Sequence, residues 1–299
     1  MKFAKPLFAL AAVSALVAPA AIAHRMWLLP SSTVVSGTDN WVTVDAAVSN
    51  DLFYFDHRPL GAIPTITQPD GTEGKAEHHN VGQFRATFDV HLTQQGTYRI
   101  AVVNQGVFGR YTLNGETKML PRGTTKAQLA TAIPAGATDV QTSEMVARNE
   151  IFVTQGAPTN TVFKPTGEGI ELVPVTHPND LVANEPATFQ FLLDGKPASG
   201  LYVTTILGGG RYRAAPKQMD QRTDASGKVT IKWPEAGMYW INVTPNAPRP
   251  EGEGEGPRPQ AQAGAQARAP RPEGAPQGMR GVPSGRRVSY TTTLEVLAP

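Results

Sequence analysis

Between Trp41 and Val48 the row WVTVDAAV alternates, with Trp41, Thr43 and Asp45 opposed to Val42, Val44 and Ala46. A period of two residues puts the two sets on opposite faces of a β-strand. The pattern returns at short spacing. PTITQPDGT, from Pro64 to Thr72, reads as a strand closed by an Asp-Gly turn. QFRATFDVH sets Phe84, Ala86, Phe88 and Val90 against Arg85, Thr87, Asp89 and His91, and GTYRIAVV completes a first series. TTKAQLATA, from Thr124 to Ala132, reads as a short helix, and the run from Asp139 to Thr154 ends strand-like in EIFVTQ. Beyond a Thr/Pro/Gly-rich stretch at 157–169 comes a second series: IELVPV, ATFQFLLDGKP, LYVTTIL, GKVTIKW, GMYWINVT and VSYTTTLEVL. With turn signals between these runs and no βαβ repeat, the spacing predicts an all-β chain of two immunoglobulin-like β-sandwich modules in tandem. The first module is expected over residues 24–160 and the second over 161–299.

Composition narrows the classes. Of 299 residues 40% are hydrophobic and 17% charged, enough apolar surface for real cores and against disorder throughout. The formal charge of +2 owes much to one late Arg-dotted segment, so no nucleic-acid partner is expected. The chain has no cysteine, which removes disulfides, thiolate metal sites and Cys nucleophiles together. From 246 to 287 the sequence is rich in Pro, Gly, Gln and Arg with almost nothing to bury, and is expected to be a disordered insertion in a hairpin of the second module. Loop-closure entropy grows slowly enough with length to tolerate it.

Residues 1–23, MKFAKPLFALAAVSALVAPAAIA, carry Lys2 and Lys5, an apolar run and small residues ending in Ala21-Ile22-Ala23. This is the pattern of a cleavable secretory signal peptide, its apolar run shorter than the roughly 20 residues that span a bilayer. The mature protein is therefore expected in the periplasm, without a transmembrane segment. Cleavage after Ala23 makes His24 the first residue. Its α-amine and ring nitrogen can then chelate one metal ion together, since the ordinary α-amine pKa is only about 7.7 to 8. One more imidazole completes a histidine brace, an N3 set suited to copper(II) or nickel(II).

Five of the six histidines, His24, His57, His78, His79 and His91, fall in the first module, and His177 in the second. His57 follows an aromatic run and Asp56 in NDLFYFDHRPL, where Asp56 can orient the ring or bind directly. His78 and His79 share the loop EHHN, and successive side chains diverge, so at most one of the two rings turns easily toward a given site. The candidate metal ligands are His24, His57, His78, His79 and Asp56. His91 lies on the polar face of its strand and reads as solvated. No Gly-x-Ser-x-Gly elbow, HExxH pair, EF-hand spacing or Walker loop is present. Gly208-Gly209-Gly210 reads as a turn, and Trp233, Tyr239 and Trp240 as sandwich core and rim.

The mature start HRMWLLPSS, the middle GIELVPVTHPNDL, the phrase FLLDGKPASGLYV, and TDASGKVTIKWPEAGMYWINV followed by RRVSYTTTLEVL carry a family likeness. The chain resembles an exported bacterial domain-of-unknown-function family once labelled as a nickel-uptake component and found beside nickel and cobalt transport systems. The resemblance implies a non-enzymatic periplasmic protein that assists an envelope metal transporter, with nickel or cobalt by association and copper by the chemistry of the brace. Only His24 matches a motif position of that family. Two other functions remain open on the residues alone: a histidine-brace copper oxygenase, and an adhesion or carbohydrate-binding β-sandwich in which the histidines are incidental.

Overall fold

In the computed structural model, residues 24–247 and 285–299 are described. The leader and most of the Pro/Gly/Arg insertion lie outside the described residues. The first half holds β1 (Arg25–Pro30), β2 (Val34–Val35), β3 (Asn40–Ser49), β4 (Thr65–Thr67), β5 (Glu73–Gly74), β6 (Glu77–Val81), β7 (Ala86–Leu92), β8 (Gly96–Leu113), β9 (Glu116–Met119), the one-turn helix α1 (Leu129–Ala132) and β10 (Thr138–Gln155). The second half holds β11 (Ile170–Pro174), β12 (Pro186–Leu193), β13 (Lys196–Pro197), β14 (Tyr202–Leu207), β15 (Gln218–Arg222), β16 (Lys228–Lys232), β17 (Gly237–Thr244) and β18 (Gly285–Val296).

The strand order is that of two immunoglobulin-like sandwiches. In the first, the sheet β1-β3-β7-β6 faces β10-β8-β4-β5, with β2 pairing β10 in parallel. In the second, β11-β12-β16 faces β15-β14-β17-β18. The first matches the ABED and GFC arrangement and the second lacks the fourth strand of the ABED sheet, each GFC sheet being extended by one further strand. Alternation explains the inward faces. Along β7, Ala86, Phe88, Val90 and Leu92 are buried and the residues between them are not. Phe84, grouped with that face from the sequence, is half exposed, because a turn closed by the hydrogen bond from Gly82 N to Arg85 O precedes the strand.

β8 and β10 are each 18 residues long, well beyond the apolar runs that announce them. β10 serves two cores. Ile151 and Val153 enter the core with Val44, Phe88 and Ile100, whereas Phe152 enters the other with Phe189, Trp233 and Tyr290. β18 pairs β10 in parallel from Ser143↔Gly285 to Glu150↔Thr292, which fuses the two GFC sheets into one of ten strands. The expected insertion therefore gives up its last three residues to a strand, Gly285–Arg287 lying in β18. β17 and β18, the strands it joins, are antiparallel neighbours. β15 had no sequence signal. It is held by pairing to β14 and by Thr204 Oγ1 donating to Asp220 Oδ1 at 2.7 Å.

A third core of Trp27, Ala47, Leu52, Ile206 and Trp240 lies between the halves. Trp27 and Trp240 are both buried, and each indole N–H is used: Trp27 Nε1 donates to Ser49 Oγ at 2.8 Å and Trp240 Nε1 to Met26 O at 2.9 Å. Arg148 and Glu150 of β10 form a buried ionic cluster with Glu171 of β11, Arg148 lying 3.6 Å from Glu150 and 3.8 Å from Glu171. Burial pushes the Glu150 carboxyl up, against the pull of Arg148. His177 links the second half to the first. Its Nδ1 accepts the Asn179 backbone N–H at 3.1 Å, so the proton sits on Nε2, which faces Thr97 Oγ1 at 3.1 Å and Thr159 O at 3.4 Å.

Truncating Trp27 to Ala is expected to cost about 3–5 kcal/mol, and Ser49→Ala about 1–3 kcal/mol by stranding the indole N–H. Denaturant titration checks both, and losses well under 1 kcal/mol would show that the middle core does not contribute to cooperative folding. Burial, opposed by the Thr159 carbonyl and Asp180, lowers the His177 pKa below its ordinary 6.5. A depressed folded value means that His177 contributes stability above 6.5, lost as the pH falls through the folded value. Substituting His177→Asn, whose Oδ1 can take the place of Nδ1, should therefore shrink the fall in Tm between about pH 7.5 and 5.5. An unchanged fall would remove His177 as its source.

Candidate metal centre

The register of β1 on β3 pairs Arg25 with Ser49, so His24 leaves the sheet beside Asn50, where β3 ends and the 50–59 loop begins. That loop returns at an isolated bridge between Ala47 and Pro59, which brings its last turn back to the same sheet end. His24 and His57 meet there, with ring centroids 4.2 Å apart and planes inclined by 57°. Asp56 Oδ1 lies 2.7 Å from His57 Nδ1 and also accepts the Asn50 backbone N–H at 3.3 Å. The carboxylate thus ties the two ends of the loop together and fixes the His57 ring. With Nδ1 engaged, Nε2 is the nitrogen left to bind a ligand, the usual arrangement of a carboxylate behind a metal-bound imidazole.

The loop is seated on the middle core. Trp27 meets Phe53 edge-on at 5.4 Å and Phe55 at 5.5 Å. Ser49 Oγ donates to Asp51 O at 2.5 Å. Phe53 has a φ of +63° and lies against Gly208 of the second half, where an added Cβ would fall 2.6 Å from the ring. Only glycine allows that approach, so part of the triglycine run has a packing role. The rest leads into a single 3-10 turn over Gly210–Tyr212.

His78 and His79 stand elsewhere. A bulge between Glu77 and Asn80, with His78 at φ +50°, turns the two rings apart. His78 Nδ1 lies 2.8 Å from Asp89 Oδ2, while His79 packs 6.4 Å from the core ring of Phe88. The hydrogen bond from Thr43, then that from His78, holds the Asp89 carboxyl below its ordinary range. Asp89 pairs Thr43 on β3, six residues from Ser49 and so about 20 Å along the strand from the His24 end. His91 is not merely solvated: it stacks on Trp41 at 4.2 Å with planes 4° apart, and its Nε2 meets Asp39 Oδ1 at 2.5 Å.

The structure therefore brings together His24, His57 and Asp56 and leaves His78 and His79 apart from them. Among the described residues no group of three or more His, Cys, Asp or Glu side chains is placed to hold a metal ion. The site offers two imidazoles, with the one carboxylate beside them engaged by His57 Nδ1 and the Asn50 N–H. Two further residues meet at this loop without having been singled out from the sequence: Arg211 lies 3.9 Å over the Tyr54 ring, and for Tyr54 the aromatic run FYF was the available signal.

Among the described residues no helix is long and apolar enough to cross a membrane. No curated protein matches the sequence. Among solved structures, the chain is similar to a DUF4785 family protein from Legionella pneumophila, with 8% identity, a TM-score of 0.22 and 73% of this chain aligned; it spans half the length of that protein. It is also similar to the D0-D1 domain of intimin, at 14% identity and a TM-score of 0.21, covering 90% of this chain and 97% of that one. A two-domain fibronectin type-III segment of chicken tenascin aligns at 12% identity with a TM-score of 0.17, over 74% and 90% of the two chains. A family model matches residues 21–245, three-quarters of the sequence and every strand but β18, and the chain belongs to that family, the domain of unknown function DUF4198.

Proposed function

We propose that this chain is a periplasmic accessory protein that binds a transition metal ion and hands it to an envelope transporter. The observation that supports this most is the convergence of His24 and His57, with Asp56 behind the second ring. On this reading the leader is cut after Ala23. The His24 α-amine and ring then take two positions on the metal and His57 Nε2 a third. Three nitrogen donors suit copper(II) and nickel(II), and the resemblance to a nickel-uptake family favours nickel or cobalt. The ion is cargo, not a reagent. Binding requires a neutral amine and neutral imidazoles, so affinity falls on acidification and binding releases protons. The hydrogen bond between His57 and Asp56 keeps the ring in one tautomer and one orientation, and this limits the entropy lost on closure around the ion.

The intact mass of the protein purified from its native envelope should begin at His24. Titration with copper(II) and with nickel(II) should show tight binding in this form, lost on His57→Ala and lost when one alanine is added ahead of His24. His78→Ala should leave it unchanged. Copper(II) EPR should report three nitrogen donors in the wild type. Equal weak binding by all forms, or a different first residue, would discard the site. Asp56→Asn should weaken binding about 10- to 100-fold without abolishing it, and isothermal titration checks this. An unchanged affinity would show that Asp56 serves the loop alone.

A further inference from the structure

We propose that the loop surface beside the paired histidines, built by Tyr54 and Arg58 of one half and Arg211 and Tyr212 of the other, is a docking face for an acidic protein partner. The proposal names the partner class for the metal-carrying reading, but the face stands on its own residues. The two loops are fixed to each other. Phe53 fills the space that Gly208 leaves, and Arg213 Nη1 donates to Gly208 O at 2.7 Å, closing the turn that presents the next residues. The Arg211 guanidinium lies 3.9 Å over the Tyr54 ring, and Tyr212, 86% exposed, projects beside it.

A guanidinium stacked on an aromatic ring keeps its in-plane N–H groups directed outward, the geometry that takes a carboxylate with two parallel hydrogen bonds. Arg58 and Arg211 are both exposed, and among the described residues neither has a carboxylate partner. Two carboxylates of the loop region are already used: Asp56 holds His57 and Asn50, and Asp45 holds Arg85 at 3.3 Å. The face thus presents unpaired guanidiniums and exposed tyrosines, the residue types that most often anchor interfaces, and its charge complement is an acidic surface.

The test uses metal-free protein and a fluorescent hepta-glutamate peptide, read by anisotropy at low and at moderate salt. The wild type should bind, more weakly as salt rises, and hepta-lysine should not. Arg58→Ala, and Arg211→Ala combined with Tyr212→Ala, should each weaken binding about tenfold or more. Arg222→Ala is the control, because its guanidinium also stacks on a tyrosine, 4.0 Å over Tyr202, on a different strand pair. It should bind like the wild type. Equal weakening by Arg222→Ala, no weakening by the loop variants, or binding to anionic phospholipid vesicles in place of the peptide would overturn the proposal. His57→Ala should keep peptide binding while losing metal, so failure of one reading is distinguishable from failure of the other. The substituted arginines and Tyr212 are exposed, and an unchanged Tm confirms folding of every variant.

Discussion

The arrangement depends on one strand that belongs to two cores. Side chains of a β-strand point alternately to opposite faces, so β10 can bury Ile151 and Val153 on one side and Phe152 on the other. Its parallel pairing with β18 then makes the two sandwiches share a continuous hydrogen-bonded sheet instead of meeting only through side chains. Relative motion of the halves would have to bend or break that ladder. The joint is further held by polar links, with Arg148 between Glu150 and Glu171 and His177 reaching Thr97. Two indoles tie β1 into the same region, one to Ser49 and the other from β17 to Met26.

This rigidity is what places the histidine pair. His24 lies at the start of a strand whose next residues are fixed from both sides, and His57 returns to it on a loop packed over Trp27 and against Gly208. Without the second sandwich the loop would lose its floor at Ile206 and Trp240. The metal reading therefore draws on residues more than 150 positions apart in sequence, though both imidazoles come from the first half.

Much of the fold was legible because local alternation and turn residues carry it. What escaped was set by pairing. β8 runs on through Asn104, Gln105 and Gly106, which end an apolar run but still pair with Ala147, Val146 and Met145 of β10. β15, QMDQR, has no β-branched or aromatic residue and exists as a strand because β14 offers it an edge. In the site, His24 was legible from the Ala-His junction and His57 from the aspartate before it. That His78 and His79 would lie along the sheet was not, since strand register and one bulge decide it. Nor could the contribution of Arg211 be read, because a Gly-rich turn does not announce the partner it packs against.

β18 is the last strand in sequence, yet it sits between β10 and β17, two strands made earlier. Its partner residues on β10 lie about 140 positions upstream, a separation that makes closure of the sheet a late and slow event in folding. Until it arrives, β10 and β17 each present an unpaired edge rich in apolar residues, the kind of surface that pairs with other chains.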